Sequence, residues 1–354
     1  MMVPGKLKDW WLPAGLLAAL VGIAPAADSS PPACDRACLR DLTDKVIASM
    51  VAHDASRLPL TQVYAATENS IPSALGMMVI WRTASAAKSS YYVIDPESQQ
   101  VFLIATIAEG PNDSLLFGRI KIDGRRISEL ELFVNRSRGQ GGFQFEADGP
   151  AHFPSEWTVE VPAARRATRA ELLRAGRSIF DTTVPAPEAA ANCVVMENGK
   201  VVGENPDVLK AIGGGSDEPK ATPGGPQKTN PDGTVPVPCG NPPNRPTDKN
   251  ARTTIIDEER GVVVSMAMVP GVVEPYLVTN PTESASVPNA LLKPYTDMLE
   301  RQRSSGKYTA PALRAMQNTA AVSEVHRIYD GKLQGLHLLV NLGAPGARSP
   351  WVGR

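Results

Sequence analysis

The sequence is poor in the features that would name a reaction. It has 4 histidines and 4 cysteines in 354 residues. No Cys-x-x-Cys occurs and no histidine neighbours a cysteine, so nothing in the sequence marks a metal site. It also lacks a phosphate-binding Gly-rich loop, a Gly-x-Ser-x-Gly elbow, a His-Glu-x-x-His pair and a dinucleotide fingerprint, so no cofactor is expected. Thirty-six basic against 37 acidic residues leave a net charge of −1, which excludes the basic footprint of a nucleic-acid binder. Aromatic residues make up only 5%. Past the N-terminus no apolar run is long enough to span a membrane.

The one long apolar run lies at the start. Lys6 and Lys8 precede Trp10–Ile23, and Ala24-Pro25-Ala26 follows as a small-residue cleavage signature. This reads as a signal peptide over residues 1–27, with an uncleaved anchor as the alternative. The mature chain is then expected to be secreted or periplasmic, without a membrane partner after cleavage. All four cysteines fall in that exported part. Two bridges are expected, and four cysteines allow three pairings. Spacing favours Cys34–Cys38 at a helix start and Cys193–Cys239 across a long loop.

What the sequence does contain is a pattern used twice. Arg119–Asn135 (RIKIDGRRISELELFVN) and Val325–Asn341 (VHRIYDGKLQGLHLLVN) each place Asp-Gly between apolar runs and end in Val-Asn. Asp-Gly in that setting is a strong hairpin signal. Upstream, Tyr92–Ile104 and Thr253–Met268 each carry Ile-Asp at a turn between strands. Further upstream, the helical stripes of Leu39–Val51 and Arg169–Phe180 precede Glu68-Asn69 and Glu197-Asn198. The expected organisation is a first domain over 34–161 and a second over 165–354. The second has a Pro/Gly-rich loop at 203–249 and an insertion with helices at Asn289–Gln302 and Ala310–Gln317. Each domain would be a curved antiparallel sheet packed on helices, an α+β fold.

Val51-Ala52-His53-Asp54, Arg57-Leu58-Pro59-Leu60, Thr67-Glu68-Asn69, Trp81-Arg82-Thr83, Cys193, Glu197-Asn198-Gly199, Asp330-Gly331-Lys332 and the tail Gly346–Trp351 together resemble a known superfamily. The chain is similar to secreted, largely uncharacterised tandem-domain members of the nuclear-transport-factor-2-like superfamily, which also holds ketosteroid isomerases and SnoaL-like polyketide cyclases. The resemblance implies two tandem cone-shaped, cystatin-like domains, each with a mostly apolar interior. It also implies that the two sheets can pair within one chain as a pseudo-dimer. It says little about activity, because this fold hosts many functions.

Candidate site residues are therefore polar side chains among apolar strand positions. His326 and His337 share the second hairpin, with Tyr329 beside them and Glu197 on the upstream turn. They form the candidate catalytic set, with one histidine as general base and Tyr329 or Glu197 as its partner. Strand alternation would put His337 on a face with Leu333 and Leu339, and Glu131, at the matching place in the first repeat, with Ile127 and Phe133. Such a face suits a pocket wall or an outer surface. His53-Asp54 and Glu68 have ordinary capping and turn roles as their alternatives, and His152 falls in the linker. Ser85…Lys88 and Ser304…Lys307 match Ser-x-x-Lys without partner motifs. Two readings follow. One is a cofactor-independent lyase, dehydratase or isomerase for a small organic or carbohydrate-derived substrate. The other is a non-catalytic ligand-binding or interaction module of the cell envelope.

Overall fold

Helix α1, Arg36–Val51, starts where Asp35 accepts the Cys38 N–H at 2.8 Å. A side-chain cap of this kind stabilises by about 1 kcal/mol. Leu39, Leu42, Val46, Ile47 and Met50 form its buried stripe. The helix stops at Ala52, and His53 follows at φ 53°. The computed structural model describes residues 33–136, 153–204, 235–236, 239, 246–275, 284–306 and 314–352.

Six strands follow α1. They are β1 Leu60–Glu68, β2 Ile71–Pro72, β3 Ala86–Asp95, β4 Gln100–Glu109, β5 Asn112–Asp123 and β6 Arg126–Asn135, and they order as β2-β1-β6-β5-β4-β3. Between β2 and β3, Met77–Arg82 contributes the short helix α2, Val79–Thr83. Helix α3, Arg169–Ser178, opens on a capping box between Thr168 and Glu171. The strands after it are β7 Glu188–Glu197, β8 Lys200–Val201, β9 Gly203–Glu204, β10 Val235–Pro236, β11 Arg252–Asp257, β12 Val262–Pro275, β13 Ser284–Pro288, β14 Met316–Tyr329 and β15 Lys332–Gly343. The second sheet orders as β8-β7-β15-β14-β12-β11, with β13 added beside β12, while β9 and β10 form a separate ladder. The α+β class holds, and the strand order of the first sheet recurs in the second.

Three expectations need correction. The sheets are mixed rather than antiparallel, because β1 runs parallel to β6 and β7 parallel to β15. In each sheet the first long strand, β1 or β7, lies beside the last and no hairpin joins the two, so they are free to run the same way. Met316 and Gln317 belong to β14 rather than to a helix, since they extend its pairing to Val273 and Val272 of β12. The other helix of the insertion is present as α4, Leu292–Ser304. The third correction concerns register. Asp123 pairs with Arg126 around Gly124-Arg125, whereas Tyr329 pairs with Lys332 around Asp330-Gly331. All four loop residues have positive φ, between 52° and 67°. The hairpins superpose with Leu130 opposite Leu336, so the two Asp-Gly pairs are one residue out of step.

A bulge sits at the same place in both hairpins. Between Lys121–Glu129 and Ile122–Ile127, Ser128 is extra; between Arg327–Gly335 and Ile328–Leu333, Gln334 is extra. An extra residue turns the rest of the strand to the other face. Ile127 and Leu333 therefore join the helix-side cores, while Phe133 and Leu339 join the core between the sheets. That seam core combines Tyr91, Phe102, Ile104 and Phe117 of the first sheet with Val262, Val264, Met266 and Val325 of the second. Phe153 and Trp157 of the linker enter it too.

Contacts across the seam are reciprocal. Asp257 accepts from Arg36 Nη2 at 2.5 Å and from the Ile94 N–H at 3.1 Å. Asp95 accepts from Arg169 Nη2 at 2.9 Å and from the Ile256 N–H at 3.1 Å. Burial pushes the Asp95 carboxyl up, but bonds from Arg169, Ser98 and Ile256 outweigh it and hold it below the usual carboxylate range. Asn135 Nδ2 donates to the Val340 carbonyl at 2.7 Å, and Asn341 Nδ2 to Asn135 Oδ1 at 2.8 Å. Cys34–Cys38 and Cys193–Cys239 are bonded, the latter with Cα atoms 5.8 Å apart. Among the described residues no helix is long and apolar enough to cross a membrane.

Candidate functional site

Cross-strand partners in a sheet share a face, so the pairing registers say which candidate side chains meet. Val195, Leu336, His326 and Val263 make one row across β7, β15, β14 and β12. The next row is Glu197, Leu338, Glu324 and Ser265. Both face helix α3: Leu336 and Val263 pack with its Leu172 and Ala175, and Ser265 donates to the Gly176 carbonyl at 2.8 Å. His326 is 1% exposed and holds its Nε2 3.2 Å from Glu324 Oε2. A carboxylate oxygen only accepts, so that contact places a proton on Nε2. Nδ1 has no hydrogen-bond partner among the described residues. A cavity of about 660 Å³ beside α3 reaches Ser265, the strand neighbour of Glu324, with Thr253 and Arg177 also in its wall.

The four residues singled out from the sequence do not form one site. His326 and Glu197 share the α3-facing side of the sheet. His337 does not join His326, because Val325 is its cross-strand partner and His326 pairs with Leu336, which puts the two rings on opposite faces. His337 lies fully buried in the seam, where its Nε2 accepts the Gly199 N–H at 2.9 Å and its ring edges Phe153 at 5.2 Å. Burial drives its pKa down to about 3, so it is a neutral core residue at ordinary pH. Its expected company of Leu333 and Leu339 is split by the bulge. Tyr329 lies beyond the bulge at the hairpin end, between the guanidinium groups of Arg165 at 5.0 Å and Arg327 at 5.2 Å. It is not a partner for either histidine.

The remaining candidates have structural roles. His53 Nδ1 contacts the Trp81 carbonyl at 2.7 Å, and Asp54 caps the turn at Ser56 and Arg57. Glu68 takes the Ile80 N–H and Arg136, and Glu131 is clasped by Arg119 and Arg252. Glu131 faces the seam with Phe133, and Ile127 does not share its side. Ser85 bonds the Ala108 carbonyl, Lys88 pairs with Asp113, and Ser304 bonds the Arg301 carbonyl. His152 and Lys307 lie outside the described residues, as does most of the Pro/Gly-rich loop.

Glu324 was missed, although the signal was present. Glu324-Val325-His326 alternates acid, apolar and base, and on a strand that spacing sets the two polar groups on one face. A family model described as a domain of unknown function (DUF8021) matches residues 165–340, a span holding α3 and most of the second sheet. No curated protein and no solved structure matches the chain.

Proposed function

We propose that this is an exported tandem SnoaL-like protein whose second domain is the working one. In this reading it is a cofactor-independent lyase, dehydratase or isomerase for a small organic or carbohydrate-derived substrate. The observation that carries it is the His326–Glu324 dyad, with Nδ1 unpartnered on the α3-facing side of the second sheet. Burying an unmet polar atom among apolar strands costs about 1–3 kcal/mol, and the first sheet avoids that cost with Ile120 at the matching place. Glu324 holds the imidazole through Nε2–H, and Nδ1 removes a proton from carbon next to a carbonyl. Return of that proton from Nδ1 to another carbon gives isomerisation, and its transfer to a β-hydroxyl, which then leaves as water, gives dehydration. Glu197, two strands from Glu324 in the same row, is about 10 Å away by strand spacing and lies on the same face of the sheet. The reciprocal seam contacts support reading the two domains as a pseudo-dimer within one chain. The signal-like N-terminus and the two disulfides support export.

The test is incubation of the mature protein with fractionated metabolites and oligosaccharides, followed by mass spectrometry. Consumption of a compound with a product of equal mass, or of mass lower by one water, is expected. His326→Gln and Glu324→Gln should each abolish it. A compound retained unchanged, with no product, would instead establish the second reading, a ligand-binding module. The 1% exposure of His326 favours that second reading.

A further inference from the structure

The seam between the sheets holds two equivalent seats, and among the described residues a linker ring fills only one. Matching registers put His337 opposite Glu131, Tyr91 opposite Arg252 and Ile104 opposite Met266. At the first seat the linker supplies an aromatic plug. Phe153 stacks on Tyr91 with ring centres 4.3 Å apart and edges His337, and Trp157 lies against Gly335. At the second seat no such ring is present among the described residues. A cavity of about 670 Å³ remains, walled by Glu131, Arg252, Met266 and Phe133 and by Ala347 and Arg348 of the C-terminal tail.

We infer that this second seat binds a small aromatic carboxylate, one planar ring taking the place that Phe153 fills at the twin. The walls select the ring. Met266 and Phe133 are apolar and polarisable, and thioethers contact aromatic edges favourably. Arg252 spends in-plane N–H groups on both Glu131 oxygens, at 2.7 and 3.1 Å, and on Ser349. It therefore meets a ligand through its flat face, which stacks on aromatic rings. The carboxylate is selected at the rim. Glu131 is already neutralised by Arg119 and Arg252, and Asp248 is turned to the N–H groups of Asn250 and Met268. Arg348 is exposed on the tail and makes no ion pair with a described residue. Trp351 fixes the tail, bonding Thr67 at 3.1 Å and taking the Arg119 guanidinium over its ring. This seat is on the opposite face of the second sheet from His326.

Isothermal titration of the mature full chain with 1-naphthoate tests it. One saturable site is expected, with at least tenfold weaker binding of the uncharged 1-naphthalenemethanol. Ala347→Trp should abolish binding by filling the cavity, and Arg348→Glu should weaken it at least tenfold. His326→Gln should leave it unchanged. Absence of binding overturns the assignment, as does binding that Arg348→Glu does not weaken or that the alcohol matches. Arg348→Glu, an exposed change, keeps the test decisive if Ala347→Trp fails to fold.

Discussion

The two sheets share a strand order and a bulge position, yet their helix-facing rows differ in chemistry. In the first sheet the rows read Ala66, Leu130, Ile120, Val101 and Glu68, Leu132, Gly118, Leu103. In the second they read Val195, Leu336, His326, Val263 and Glu197, Leu338, Glu324, Ser265. Three positions thus change from Ile120, Gly118 and Leu103 to His326, Glu324 and Ser265. The backbone does not demand the polar set, since the first sheet does without it. Apolar groups at those places strengthen a core, so the polar set is there at the expense of stability.

The seam gives the largest expected effect. The folded pKa of His337, about 3, lies below its ordinary 6.5, so the unfolded chain binds a proton that the folded chain excludes. Stability is complete above pH 6.5 and falls as pH drops through 3, by about 5 kcal/mol in all. His337→Gln, which keeps an acceptor for the Gly199 N–H, should flatten that slope in urea titrations at stepped pH. An unchanged slope would show that His337 is not its source.

Gly118 sharpens the comparison next. It sits at φ 155°, and a Cβ there would come within 2.1 Å of the Glu131 carbonyl oxygen. Gly118→Ala should cost about 3 kcal/mol, read as a fall in Tm, while Glu324→Gln at the matching position, which keeps an acceptor for the His326 N–H, costs under about 1. Similar losses from both would mean that the sheets are not equivalent there. The reciprocal ion pairs predict near-equality instead. Asp95→Asn and Asp257→Asn should each cost about 2 kcal/mol, because each leaves an arginine and a seam N–H with a weaker acceptor. One large and one negligible loss would break the symmetry. The smallest effect runs the other way. His326→Ile copies Ile120 into the second sheet and should stabilise by about 1 kcal/mol while removing any activity. A destabilised variant would make His326 a structural residue.

Much of the fold was legible in the sequence, for identifiable reasons. The stripe of α1, the Thr168/Glu171 box and the apolar runs are local signals, and the matching ends in Val-Asn announced the repeat. Spacing favoured, among three possible pairings, the two cysteine pairs that are bonded. The Asp-Gly pairs misled by one residue, because the loop positions follow strand register rather than the dipeptide. The candidate site was half legible. His326 was found, and Glu324 stood two residues away, but their partnership depends on which face they occupy.

The amino-acid sequence alone determined most element types and the duplication, because each rests on periodicity or on a repeated pattern along the chain, while spacing favoured one cysteine pairing among three. Only the tertiary structure decided which polar groups meet. Ser128 and Gln334 each add one residue to a strand, and one residue exchanges the two faces of a sheet. That exchange, together with the face-to-face packing of the sheets, put His337 in a dry seam, His326 beside Glu324 under α3, and left the cavity at Arg252 where the twin position is filled by Phe153.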